Sequence, residues 1–171
     1  MTRLPNRRAS ASMRAMSDDF ETWTWGHLFE LDLPRRWSVH DRDGAVELCP
    51  VPGADGIHLA TLDLPPEQGP DAAAATILAR FAATRGHEAL AAGPAERDPF
   101  GVARTRARFA ADDGHWFAGA AAWDFHVVLC TAFARAPDAR LLHVAEELFE
   151  ALRPTDAAAA VVLPPDAPGD F

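Results

Sequence analysis

Residues Val102 to Phe133 most constrain the fold, because they contain three apolar, β-prone segments separated by two short breaks. The later part, Trp116 to Phe133, is an 18-residue run in which Asp124 and His126 are the plainly polar residues. A helix that is hydrophobic all round and a marginal membrane span are the rival interpretations, but Asp124 divides the run and its second half is rich in β-branched and aromatic residues. Asp113-Gly114 lies in the first break, where Asp-Gly between apolar runs predicts a tight turn. We therefore expect the central antiparallel meander of a sheet.

The first segment of this stretch alternates between arginine and less polar residues. Alternate residues of a strand point to the same face of the sheet. We therefore expect Arg104, Arg106 and Arg108 to share one face, and we expect that face to meet water.

The segments before the meander predict four strand segments and one helix. Asp-Gly pairs at positions 43 and 55, like the pair at 113, mark turns between apolar runs. An apolar stripe with helical spacing predicts a helix over about 71–85, capped by Asp71 and ended by Gly86. The strand segments are Thr22–Leu33, which Gly26 interrupts, Trp37–Asp41, Ala45–Val51 and Ile57–Leu64.

A short strand over Glu88–Ala95 and a second helix complete the pattern. The second helix is expected over about 138–153, between Pro137-Asp138 and Pro154. Its apolar face consists of Leu141, Val144, Ala145, Leu148, Phe149 and Leu152, and its polar face of His143, Glu146, Glu147 and Glu150.

These elements predict an α+β fold, an α/β/α sandwich in which two main helices pack on a twisted antiparallel sheet of about six to seven strands. The chain of 171 residues is long enough for one such domain. We expect a domain over 20–154, a disordered N-terminal tail over 1–19 and a flexible C-terminal tail over 155–171.

The charge composition argues against nucleic-acid binding. The net charge is −9, and all 16 basic residues are arginine. An acidic body repels nucleic acid. The N-terminus lacks the apolar core of a secretory signal, and Met13 or Met16 is an alternative start to Met1. We therefore expect a cytoplasmic protein without stable membrane insertion.

Metal and cofactor chemistry is not indicated by any motif. Cys49 and Cys130 lie in apolar strand-like segments and are expected to be buried free thiols. The carboxylates of His40–Gly44, together with Glu47, resemble a calcium loop but lack its ligand spacing, so a hairpin turn explains them better. Histidine spacing gives no zinc pair, and no phosphate-binding glycine loop occurs. We expect neither a metal nor a cofactor.

One cluster allows an enzymatic alternative. Asp124 and His126 are two residues apart, and His115 is nearby in sequence. A carboxylate that orients a histidine can make it a general base. Surface turn polarity explains the same three residues without any catalysis.

The tryptophans are the least ordinary feature of the composition. Trp37 is expected to fill the core. Trp23, Trp25, Trp116 and Trp123 lie in strands or at strand ends. Core packing explains them, and the alternative is a partly exposed aromatic surface that binds a partner.

The segment Phe29–Trp37, which reads FELDLPRRW, is similar to the F-x-L-P-x-x-W opening of the DcrB-like group in the PsbP-like superfamily, here with extra residues before the proline. The order of helix, strand meander with Thr131 in its last strand, and C-terminal helix is also similar. The resemblance covers about Gly26 to Pro154 and implies a PsbP-like α/β/α sandwich. Most members of the superfamily are binding proteins, and they include Eag-type chaperones of type VI secretion effectors.

The resemblance and the composition together predict a non-enzymatic cytoplasmic binding protein. Its expected partner is a protein, such as a secreted effector with an apolar or transmembrane segment that needs an adaptor or chaperone. The acidic body is expected to favour segments with basic flanks, and a homodimer is compatible with the pattern. The alternatives are a small hydrolase or ligand-binding enzyme using His115, Asp124 and His126, and a structural interaction subunit.

Overall fold

The computed structural model of this protein describes residues 19–42, 44–51, 55–64, 67–87 and 94–155. The predicted tails 1–19 and 155–171 and the predicted strand Glu88–Ala95 lie mostly outside these ranges. The described elements, in chain order, are β1 (Phe20–Trp25), β2 (Phe29–Pro34), β3 (Ser38–Arg42), β4 (Ala45–Cys49), β5 (Ile57–Asp63), α1 (Pro70–Thr84), β6 (Glu96–Arg97), β7 (Ala103–Ala111), β8 (Gly114–Trp123), β9 (His126–Ala134), α2 (Arg140–Ala151) and β10 (Arg153–Pro154).

The strands form two antiparallel sheets. The large sheet has seven strands in the order β3-β4-β5-β9-β8-β7-β6, and the small sheet has the order β1-β2-β10. The predicted central meander is β7, β8 and β9. The predicted α+β fold, with two main helices on an antiparallel sheet of six to seven strands, is confirmed.

Both faces of the large sheet are covered, and each has its own hydrophobic core. On one face α1 packs over β7, β8 and β9, around Leu78 and Phe109. On the other face lie α2 and the small sheet, where Leu31 of β2, Leu59 of β5 and Phe149 of α2 belong to one core. The layers are therefore α1, the large sheet, and then α2 beside the small sheet.

The hairpin between β7 and β8 differs in detail from the prediction. Ala111 pairs with Gly114, so the two-residue turn is Asp112-Asp113. Gly114 is the first residue of β8 and has φ +148°. A Cβ on Gly114 would lie 2.7 Å from a ring carbon of Phe133 and 2.8 Å from the Ala134 carbonyl oxygen. Glycine is needed here because β9 approaches closely.

Two other predicted turns fall where expected. Gly44, at φ +89°, lies in the turn between β3 and β4, and Asp43 is outside the described residues. The second break of the meander is Asp124-Phe125, between paired Trp123 and His126. Asp124 has φ +47°, a conformation that aspartate tolerates better than most residues.

Helix α1 begins one residue before the predicted start, and Gly69 rather than Asp71 is its N-cap. Asp71 lies in the first turn and accepts hydrogen bonds from Arg97 of β6, the shortest being 2.6 Å between Nη2 and Oδ2. These hydrogen bonds and the charge of Arg97 lower the pKa of Asp71. The helix ends as predicted, with Gly86 at φ +79° just beyond its C-cap.

Helix α2 is shorter than the predicted 138–153, and its buried face is rotated from the predicted one. Leu142, absent from the predicted face, is 1% exposed, whereas Leu141 and Val144 are half-buried. Ala145, Leu148, Phe149 and Leu152 are buried as predicted. Neither α1 nor α2 is long and apolar enough to cross a membrane, and these are the helices of the described ranges.

Phe149 fixes the contact between α2 and the large sheet. A Cβ built on Gly119 of β8 would lie 2.8 Å from a ring carbon of Phe149. The ring also packs edge-on against Phe117, with 6.0 Å between centroids. The missing side chain at Gly119 therefore allows the close approach of α2.

The arginines of β7 lie on the face that α2 covers, and the prediction that this whole face meets water is wrong. Arg104 is 9% exposed. Arg106 and Arg108 are exposed as predicted, but they form ion pairs with Glu146 of α2, at 3.2 and 2.5 Å, and Arg106 also pairs with Glu150. Helix α2 therefore lies across the arginine row.

In the small sheet, the C-terminal strand β10 pairs with the N-terminal strand β2. Arg153 of β10 donates hydrogen bonds to Glu30 Oε1 at 2.6 Å and to Asp32 Oδ2 at 3.2 Å, both on β2. The Thr155 hydroxyl donates to the His27 carbonyl oxygen at 2.6 Å. Thr155, at the predicted start of the C-terminal tail, is thus hydrogen-bonded to the segment between β1 and β2.

The Phe149–Gly119 contact predicts that Gly119→Ala destabilises the protein by about 1–3 kcal/mol, because the new methyl group overlaps the ring. Phe149→Leu shortens the opposing side chain, so the double variant should lose less than the sum of the two single losses. Urea unfolding of all four proteins measures this coupling. Strictly additive losses would contradict the contact.

The Arg153 network predicts a pH dependence of stability. Burial raises the pKa of Asp32, but hydrogen bonds from Arg153 and Thr22 outweigh burial and lower the pKa below its ordinary value. A lowered folded-state pKa adds stability above the unfolded pKa of about 4, and this stability is lost as pH falls through the folded value. Asp32→Asn should therefore flatten the fall of the melting temperature below about pH 4. Asp138→Asn, at an exposed carboxylate, is the control and should retain the native pH profile, and an equally steep profile for Asp32→Asn would refute the role of Asp32.

Candidate functional site

Two of the four tryptophans predicted to bind a partner are core residues. Trp116 is 9% exposed and Trp123 is 4% exposed. The Trp116 ring packs against Phe81 and Phe133, with centroids 5.4 and 5.0 Å away, and its indole N–H donates to Asp113 Oδ1 at 3.1 Å. Neither ring is available to a partner in this conformation.

The other two tryptophans lie on the edge strand β1. Trp23 and Trp25 are half-buried and pack against the core between the two sheets. The Trp23 indole N–H donates to Glu21 Oε1 at 3.1 Å. A binding surface made of all four rings is therefore absent, and Trp23 and Trp25 keep a partial exposure.

His115 is far from the other two residues of the enzymatic alternative. His115 is the second residue of β8, while Asp124 and His126 flank the other end of that strand. Strands rise about 3.3 Å per residue, so His115 lies roughly 30 Å from Asp124. Asp124 therefore cannot orient His115, and the predicted three-residue cluster is wrong as a single site, whereas Asp124 and His126 lie beside the same turn.

An open groove of about 790 Å³ lies beside the N-terminal half of α2. It is bordered by the β2–β3 turn, the segments on either side of the β4–β5 connection, the end of β9 and the start of α2. Its lining residues are Arg36, Trp37, Pro50, Val51, Asp55, Phe133, Ala134, Arg135, Ala136, Ala139, Arg140, Leu141 and Val144. We call it the α2 groove.

The walls of the α2 groove are mostly apolar. Val51 is 60% exposed. Trp37, Leu141 and Val144 are half-buried and pack against the core beneath. The orientation of α2 accounts for these apolar walls. Leu142 faces the sheet, so Leu141 and Val144 border the groove. A pocket of this size, lined mainly by apolar side chains, is typical of binding sites.

The rim of the α2 groove is positively charged. It includes Arg36, Arg135 and Arg140, and a single acid, Asp55. Within the described ranges, the three guanidinium groups make neither hydrogen bonds nor ion pairs. The local charge of the groove is therefore positive, opposite in sign to the net charge of the whole chain, which is −9.

A second groove, of about 610 Å³, lies at the other end of α2, near β6 and β7. Its arginines are already paired with carboxylates. Arg104 donates to Asp98 Oδ2 at 2.9 Å, to the Phe149 carbonyl oxygen at 2.7 Å and to the Leu152 carbonyl oxygen. These contacts close the C-terminal end of α2, so we interpret the second groove as structural and the α2 groove as the candidate functional site.

The cysteines are buried free thiols, as predicted. Burial raises the pKa of the Cys130 thiol, and burial together with the charge of Glu47 raises the pKa of the Cys49 thiol. Both effects disfavour the reactive thiolate. Among the residues that the structure describes, no three histidine, cysteine, aspartate or glutamate side chains are placed to hold a metal ion.

No sequence motif singles out the three rim arginines. Each lies just outside a strand or at the start of a helix: Arg36 after β2, Arg135 after β9, and Arg140 at the first position of α2. A signal was present, because antiparallel pairing brings the start of β3, which follows Arg36, and the end of β9, which precedes Arg135, to the same end of the sheet. It was hidden because arginine is the sole basic residue type and occurs throughout the chain.

The fold places this chain with PsbP-like structures. It is similar to the solution structure of cyanobacterial PsbP (CyanoP) from Synechocystis sp. PCC 6803, with a TM-score of 0.58 and 14% sequence identity. The match covers 85% of this chain and 98% of that chain. No protein-family model and no curated protein matches the sequence. The similarity therefore establishes a PsbP-like fold.

The paired charges around Arg104 predict that Arg104→Met destabilises the protein by about 3 kcal/mol or more, because Asp98 loses its buried partner and two helix carbonyls lose their donor. Arg106→Met is the matched control on the same strand face. It removes only exposed pairs, with Glu146 and Glu150, and should cost less than about 1 kcal/mol. Chemical denaturation measures both, and equal losses would contradict a special role for Arg104.

Proposed function

We propose that this protein is a non-enzymatic binding protein that holds an apolar segment of a protein partner in the α2 groove. The observation on which this depends is the exposure of Trp37, Val51, Leu141 and Val144 along one open groove. Contiguous exposed apolar surface of this kind marks interaction sites on folded proteins. Tryptophan and arginine, both present in the lining, are the residues most enriched at the energetic centres of interfaces.

The groove suits a helical segment of a protein. An α-helix with its side chains is about 10 Å wide and rises 5.4 Å per turn, so two turns occupy roughly 850 Å³. The groove volume of about 790 Å³ is similar. Leu141 and Val144 are three residues apart on α2 and form a ridge against which an apolar helix can pack.

The role of an adaptor or chaperone for a secreted effector is the finer part of the proposal. It is supported by the resemblance of the Phe29–Trp37 segment to the DcrB-like group, and the PsbP-like fold is compatible with that group. A cytoplasmic location belongs to the same proposal. The hydrolase alternative loses support, because His115 lies roughly 30 Å from Asp124 along β8.

A peptide titration tests the proposed function. A soluble, uncharged apolar helical peptide of about ten residues is added to the full-length protein while tryptophan emission is followed. Because Trp37 lines the groove, binding should shift the emission to the blue. In Trp37→Phe this shift should largely disappear, while calorimetry should still detect binding.

Val144→Asp should weaken binding of that peptide at least tenfold, or about 1.4 kcal/mol, because it places a charge in the apolar wall. Glu147→Ala, on the exposed side of α2, should leave binding unchanged. Melting curves of both variants check that the domain stays folded. Binding that Val144→Asp leaves intact would place the peptide elsewhere and contradict the proposal.

A further inference from the structure

We infer that the segment held in the α2 groove has acidic side chains at its flanks, and that Arg36, Arg135 and Arg140 bind those carboxylates. This inference rests on the proposed function, since it names the chemistry of the partner at the same groove. The net charge of the chain alone would favour a segment with basic flanks. The local charge of the groove favours the opposite choice.

The three arginines come from three separate segments of the chain. Arg36 is in the turn between β2 and β3, Arg135 follows β9, and Arg140 opens α2. All three are exposed, and within the described ranges their guanidinium groups have no carboxylate partner. By contrast, six arginines elsewhere in the described structure do form such pairs: Arg42, Arg97, Arg104, Arg106, Arg108 and Arg153. Unpaired arginines gathered at one groove can bind carboxylates in a bidentate manner.

The start of α2 gives an independent observation. Its N-cap is Ala139, which offers no side-chain acceptor, and its first turn contains no acidic residue. Arg140 occupies the first helical position, where the positive end of the helix dipole disfavours a cation. Although the Leu142 N–H donates to the Ala139 carbonyl oxygen at 3.0 Å, these choices leave the helix end without a side-chain cap. They become favourable when an external carboxylate lies against that end, as anions bind at helix N-termini.

The expected size of the effect follows from exposed ion pairs. Each such pair changes affinity by about 1.4- to 5-fold. Three pairs together therefore change it by about 3- to 150-fold, and added salt should reduce the effect because exposed charges are screened. The apolar walls supply the remaining affinity, which should depend little on salt.

Three synthetic peptides with one shared apolar helical core test the inference on the full-length protein. Their flanks consist of glutamate, glutamine or lysine. Calorimetry at low salt should rank their affinities as glutamate above glutamine above lysine, with at least a tenfold difference between the first and the last. At high salt the three affinities should converge.

The double variant Arg135→Gln/Arg140→Gln tests whether these two arginines bind the acidic flanks. This double variant should bind the glutamate peptide at least fivefold more weakly and the glutamine peptide as the native protein does. Arg80→Gln is the control, because it removes an exposed arginine from α1 on the opposite face of the sheet. It should not alter the ranking.

The outcomes separate the two proposals. If the glutamine peptide binds and the flanks make no difference, the inference is overturned and the proposed function stands. If none of the three peptides binds, both are overturned. If Val144→Asp converts a native dimer into a monomer, the groove is occupied by a second copy of this chain, and the inference is again overturned.

Discussion

The seating of Phe149 over Gly119 is the contact on which the arrangement of this domain depends. It presses the C-terminal half of α2 against β8, where a Cβ on Gly119 would come within 2.8 Å of the ring. Arg104 then secures that end by donating to the Phe149 and Leu152 carbonyl oxygens. Asp98 neutralises the buried guanidinium at 2.9 Å, which is the condition for burying such a charge at low cost.

The contacts that hold the C-terminal end of α2 also determine which residues of its N-terminal half are buried. Over its 12 residues the helix is about 18 Å long, and its N-terminal half borders the α2 groove. Leu142 reaches the core, while Leu141 and Val144 remain half-buried beside Trp37. The same docking that stabilises the fold therefore leaves an apolar groove with unpaired arginines at its rim. Local departures from good helix capping are expected at functional sites.

Strand and helix positions could be predicted from the sequence because hydrophobic periodicity and turn residues are local signals. The meander and both helices follow from them, as does the free state of Cys49 and Cys130. Packing across the sheet is not local. The burial of Arg104 depends on where α2 lies, the need for Gly114 depends on β9, and the coverage of Trp123 depends on distant segments. The rim arginines were missed for the same reason, since they meet through three connections that are remote in sequence.

The central claim is that a partner segment lies in the α2 groove, and its location can be measured directly. Nuclear magnetic resonance of the ¹⁵N-labelled full-length protein, titrated with the glutamate-flanked apolar peptide, reports which amides and indoles sense binding. The account predicts that the largest shifts occur at the Trp37 indole and along residues 135–144. Shifts concentrated on β1 at Trp23 and Trp25, with the α2 groove unaffected, would contradict it.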